Sequence, residues 1–198
     1  MTAGTLARLD RRVTRAIRTL PHAPILDATL SGLSRATDHA NGWLVLGAAG
    51  ATLDASRRAR WLQATAGVAA TEATCRAIKR RVGRRRPQLD GLPALAYVPD
   101  PLSFPSSHTA DAVAAITAFD GLLPAAALCL LAIVQAASRP YLGVHYAGDV
   151  AAGVAVGIAV GRLRGPAGRA MTAAVATAHL TGRARSRPGG VSPGSQRS

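Results

Sequence analysis

Aromatic residues are scarce, with two Trp, three Tyr and two Phe in 198 residues. A β-sandwich built on large aromatic packing is therefore a poor fit. Cysteine is nearly absent. Cys75 and Cys129 lie far apart in apolar surroundings and are expected to be small packing residues. No disulfide framework or cysteine metal site can be built from two such residues. Acidic residues number only ten, against 24 basic ones, giving a formal charge of +14. An uninterrupted apolar run of the ~20 residues that suits a spanning helix is also missing. The N-terminus begins polar and Arg-rich, without the compact apolar core of a secretory signal peptide.

What is present is Ala, Leu, Val and Gly. Such a composition suits helices packed closely, because small side chains let backbones approach. The basic excess admits three readings: nucleic acid, anionic lipid, or an anionic substrate. Charge alone does not choose among them.

Leu6, Leu9, Val13, Ile17 and Leu20 recur at helical spacing with Arg on the other face. This basic amphipathic helix, residues 1–20, either lies on an anionic membrane surface or packs on the rest of the bundle. Pro21 and Pro24 end it. Apolar stretches then predict six helices, at about 22–37, 42–56, 61–78, 107–120, 122–138 and 145–162. Asp38 and His39 fall in the turn between the first two, as a helix cap or as a substrate contact. Residues 166–198 form a basic tail rich in Ser, Pro and Gly, and are expected to be disordered.

Three motifs carry the chemistry: Lys79 to Pro87 with six cations, Pro105-Ser106-Ser107-His108, and Ser138-Arg139 followed by His145 and Asp149. Pro-Ser-Ser-His before an apolar run reads as a helix start, whose free N–H groups suit a phosphate. His145 and Asp149 are four apart and share a helix face. A carboxylate there can hold imidazole Nδ1–H and leave Nε2 free to attack.

In this order, K-x6-R-P, P-S-x-H and S-R-x5-H-x3-D resemble the signature of the type-2 phosphatidic acid phosphatase superfamily, which includes the vanadium haloperoxidases. The match covers Lys79 to Asp149. One position departs: Ser107 stands where the family usually has Gly. The resemblance implies an all-α fold, here a six-helix integral-membrane bundle over residues 21–165. It implies that His145 is the nucleophile, oriented by Asp149, and that His108 is the acid and then the base. It implies that Lys79, Arg86, Ser106, Ser107 and Arg139 hold the phosphate. It implies no metal, no cofactor and no nucleic-acid partner.

The implied substrate is a lipid phosphomonoester or diphosphate: a polyprenyl diphosphate, a polyprenyl-phosphate sugar phosphate, phosphatidate or phosphatidylglycerophosphate. The alternative is a soluble acid phosphatase or haloperoxidase-like enzyme with the same site. Six alternating crossings bring the three motifs to one face. The N-terminal Arg helix, Arg57, Arg58, Arg60 and Arg162 then fall on the other face. By the positive-inside rule that face and both termini are cytoplasmic, and the active site is extracytoplasmic.

Overall fold

The computed structural model describes residues 3–164, so the C-terminal tail lies outside the described residues. The described residues are helical and contain no strand, in agreement with the all-α expectation. Seven α-helices follow in order: α1 (Ala3–Arg18), α2 (Pro24–Ala36), α3 (Asn41–Leu53), α4 (Arg58–Val82), α5 (Ser107–Ala118), α6 (Ala125–Tyr141) and α7 (Ala147–Arg164).

The Ala-rich α5 forms the axis of the bundle and packs against α4, α6 and α7. Close approach to α7 depends on glycines spaced four apart, which place one small face along the helix. A Cβ on Gly153 would come within 2.6 Å of the Ser106 carbonyl, and one on Gly157 within 2.5 Å of the Ala110 carbonyl. Gly161 sits equally tightly on Thr117. At the far end of the bundle the few aromatics gather. Phe119 lies 5.8 Å from both Trp43 and Trp61, ring centre to ring centre. Trp61 also donates to Asp54 at the turn between α3 and α4 (3.1 Å).

Helices α4 to α7 alternate in direction as expected, and so deliver all three motifs to one end. The N-terminal third differs from the expectation in two respects. First, α2 does not cross the bundle. Its Asp27 accepts from Tyr141 at the end of α6 (2.7 Å). Its Ser34 meets His108 at the start of α5 and Arg139 in the last turn of α6. Both ends of α2 thus stay at the catalytic end. His39 and Ala40, at φ 53° and 62°, bend the chain into α3, which makes the first full traverse. The bundle therefore has five traverses rather than six.

Second, α1 sits at the catalytic end, not the opposite one. Arg84 reaches Asp10 (2.6 Å), and Gly148 N–H donates to Asp10 (2.7 Å). Ala147 N–H donates to Thr14 (3.0 Å), and Arg18 donates to the Pro93 carbonyl (2.8 Å). The helix buries this polar side, while Leu6, Leu9, Val13 and Leu20 point outward. The physical reason is that the first N–H groups of α7 need acceptors, and α1 supplies two of them. The Arg residues of α1 therefore belong to the catalytic end. The charge asymmetry that assigned that end to the extracytoplasmic side then rests on Arg57, Arg58, Arg60 and Arg162 without the N-terminal helix.

Cys75 is buried as expected, but Cys129 is exposed on α6. Among the described residues no helix is long and apolar enough to cross a membrane. α4 has the length but spends it on Glu72, Arg76 and Lys79, which face a cavity.

Candidate active site

A cavity of about 170 Å³ opens at the catalytic end. From α4 it takes Glu72, Arg76 and Lys79, and from α5 it takes Ser107, His108 and Asp111. The loop between them adds Arg86, Val98 and Asp100. The α2–α3 turn adds Asp38 and His39, and the α6–α7 loop adds His145.

Five residues singled out in the sequence thus share one cavity wall: Lys79, Arg86, Ser107, His108 and His145. Three others stand behind it. Asp149 is fully buried beneath His145, with Oδ2 3.6 Å from His145 Nδ1. That distance is too long for a hydrogen bond. Asp149 is instead engaged by Arg84 (2.8 Å) and by Tyr146 N–H (2.8 Å). Arg139 is fully buried and donates to Ser34 and Ser138 (2.8 Å each). Ser106 pairs with Thr109 (3.0 Å), and its N–H donates to the Asp149 carbonyl (3.0 Å). That last bond ties the second motif directly to the third.

The hydrogen bonds define the state of His145. Arg86 Nη1 lies 3.1 Å from His145 Nε2. A guanidinium can only donate, so Nε2 carries the lone pair and Nδ1 the proton. Burial, with the Arg86, Lys79 and Arg139 charges added, holds His145 well below its ordinary value of 6.5. The imidazole is therefore neutral, with its lone pair facing the cation that would grip a phosphate. His108 Nε2 is 3.0 Å from the Ser34 carbonyl, which can only accept. The Nε2 position of His108 is thus protonated.

Arg86 is held rigidly. It also donates to the Asp100 carbonyl (2.6 Å) and to the Val144 carbonyl (2.8 Å). Lys79 Nζ donates to the Leu102 carbonyl (3.0 Å). The segment between Gln88 and Phe104 contributes Val98 and Asp100 to the cavity and packs its chain against both cations.

Sequence reasoning did not single out Arg84, Glu72 or Asp111. Arg84 was one cation in a run. In the structure it bridges Asp149 and Asp10 and lies 4.0 Å over the Tyr146 ring. The signal for Glu72 and Asp111 was their helical spacing from Lys79 and from His108, which puts each on the cavity face.

Comparison with known proteins gives the family. Residues 60–166 match the PAP2 superfamily. The chain belongs to that superfamily. It is a phosphatase. Among its PAP2 relatives, a Mycobacterium tuberculosis protein named decaprenylphosphoryl-5-phosphoribose phosphatase is 39% identical over 131 residues, covering 66% of this chain and 74% of that protein. A protein of the same name from Mycolicibacterium smegmatis is 38% identical, covering 61% and 67%. Two solved PAP2-type structures share the fold. The transmembrane PAP2 type phosphatidylglycerolphosphate phosphatase of Bacillus subtilis has a TM-score of 0.66 at 21% identity, covering 82% of this chain and 85% of that one. Aquifex aeolicus LpxE has a TM-score of 0.65 at 24% identity, covering 79% and 94%.

Proposed function

We propose that the protein is a membrane-embedded lipid phosphatase that works through a phosphohistidine without a metal ion. The observation that carries this is the Arg86–His145 contact. It fixes a neutral imidazole with its Nε2 lone pair at the phosphate-gripping cation. His145 Nε2 attacks phosphorus, and the bond from phosphorus to the ester oxygen breaks. Lys79, Arg86 and the α5 N-terminus stabilise the charge on the equatorial oxygens. Arg139 and Ser106 support that shell from behind. Asp149 closes on Nδ1–H as the imidazole becomes cationic.

His108 gives the leaving oxygen its proton. Because Nε2–H is committed to Ser34, the transferred proton is a second one on Nδ1, which His108 takes up together with the anionic substrate. His108 then takes a proton from water, whose oxygen attacks phosphorus and breaks the P–N bond. Inorganic phosphate leaves, and both histidines return to their starting states.

The lipid setting is supported by outward-facing apolar side chains on four helices: Val45 and Leu53, Leu62, Leu130 and Ile133, and Ile158 and Leu163. The names of the relatives support a polyprenyl-phosphate sugar phosphate as substrate.

The test is phosphate release by detergent-purified protein from a panel of lipid phosphates in excess EDTA, with His145→Ala alongside. Release by the parent and not by the variant, with an acid-labile phosphoenzyme trapped in the parent, is the expected result. Loss of release in EDTA, or equal release by His145→Ala, would overturn the mechanism.

A further inference from the structure

The cavity has two chemically opposite ends. One holds Lys79, Arg86, His108 and His145. The other holds Glu72 and Asp111, with Asp38 nearby. The phosphoryl chemistry uses only the cationic end and gives the carboxylates no task. Both are almost completely buried, Glu72 at 7% exposure and Asp111 at 1%. Glu72 Oε1 accepts from Arg76 (2.7 Å). Glu72 Oε2 and Asp111 Oδ1 have no partner, and neither does Ser107 Oγ. Three residues lining one cavity thus each carry a buried, unpartnered oxygen. An acceptor left unsatisfied in the interior is costly, so the arrangement calls for donors from a ligand.

We propose that Glu72, Asp111 and Ser107 form a hydroxyl-binding subsite that selects the polyol headgroup of a sugar phosphate. This rests on the reading of the cationic end as the phosphate site. The spacing fits. Asp111 lies three residues along α5 from His108, about 4.5 Å of helix rise, and Glu72 lies seven residues along α4 from Lys79, about 10.5 Å. In a pentose 5-phosphate the ring hydroxyls lie five or more bonds from phosphorus, about 5–7 Å by ordinary bond lengths. With the phosphate between Lys79 and His145, the hydroxyls reach the carboxylates.

The donors must come without a full charge, because the phosphate end already supplies the cations. Among the described residues no three His, Cys, Asp or Glu side chains converge as metal ligands, which favours hydroxyl groups as the match. A phosphatidate headgroup offers only ester oxygens beside its phosphate. Those acceptors would face carboxylate oxygens and leave them unsatisfied. A site built to hydrogen-bond a hydroxyl discriminates strongly against an analogue that lacks it.

The experiment uses the full chain in detergent and two soluble probes, ribose 5-phosphate and pentyl phosphate. They share a five-carbon skeleton and a primary phosphate and differ in hydroxyls. The expected result is a kcat/KM at least about tenfold higher for ribose 5-phosphate, and a ratio that falls about tenfold in Asp111→Asn and in Glu72→Gln. A parent ratio near one overturns the proposal, as does a ratio kept in active variants. If a variant does not fold, the parent ratio decides alone. Absence of release from both probes and from every lipid phosphate would instead overturn the phosphate-site reading, and this subsite with it.

Discussion

Replacing Asp10 with Ala removes the residue that fastens α1 to the catalytic end, at a position with no match in the three motifs. Its carboxylate is only 14% exposed and accepts from Arg84 (2.6 Å) and from Gly148 N–H (2.7 Å). Hydrogen bonds to a charged group contribute about 1.5–3 kcal/mol each. Loss of an acceptor at a helix start costs about 0.5–2 kcal/mol. The two contacts share one carboxylate and are not additive, so a net loss of about 3 kcal/mol is expected. For a chain of this size that is about 6–12 °C in Tm.

Arg84, freed from Asp10, keeps Asp149 and the face of Tyr146 but loses its second carboxylate, so the carboxylate beneath His145 has a less firmly held neighbour. A fall in kcat of about tenfold, or about 1.4 kcal/mol, should accompany the lower Tm. Asp10→Asn separates the two roles, since it keeps an acceptor for Gly148 and loses the charge that holds Arg84. It should recover part of the Tm and little of the kcat. The assays are thermal unfolding in detergent and phosphate release. An Ala variant that matches the parent in both Tm and kcat would refute the idea that α1 supports the catalytic loop.

Arg86→Lys should lower kcat/KM by about a hundredfold in a steady-state assay, because one ammonium cannot serve Asp100, Val144, His145 and a phosphate at once. Phe119→Ala, at the fully buried junction of Trp43 and Trp61, should cost about 3–5 kcal/mol in denaturant unfolding while the cavity chemistry persists at low temperature. The depressed pKa of His145 has a defined sign. Its neutral form contributes stability that is complete above the unfolded value of 6.5 and is lost as the pH falls below it. Melting temperatures from about pH 8 to about pH 5 should therefore decline more steeply for the parent than for His145→Gln.

The motifs were legible because each is local in sequence, and helices α4 to α7 carry them with simple alternation. The position of α1 was not legible. Asp10 sits among arginines and looks like one charge on a solvated face. Its partners, Arg84 and Gly148, are 74 and 138 residues away. Asp38 to Gly42 carried the marks of a turn, and a turn there implied a reversal. Left-handed backbone at His39 and Ala40 is unusual for those residue types, and it bends the chain onward instead. Glu72 interrupts one apolar run and Asp111 sits inside another. Hydropathy counts a charged side chain against a helix and is blind to the cavity it lines. Nor could spacing show that Arg139 and Ser106 stand behind the cavity wall, since burial depends on α2 and its Ser34.

The glycines of α7 bear on how such an enzyme can change. With Gly153 resting on the Ser106 carbonyl and Gly157 on that of Ala110, the offset between the two histidine-bearing segments is gauged along the helix pair, outside the cavity itself. A single methyl group at Gly157 would act on the reaction from outside the cavity by sliding one histidine past the other. The walls that α4 and the Gln88–Phe104 segment contribute carry no part of that gauge. New headgroups can therefore be accommodated on those walls while the distance between acid and nucleophile is inherited intact.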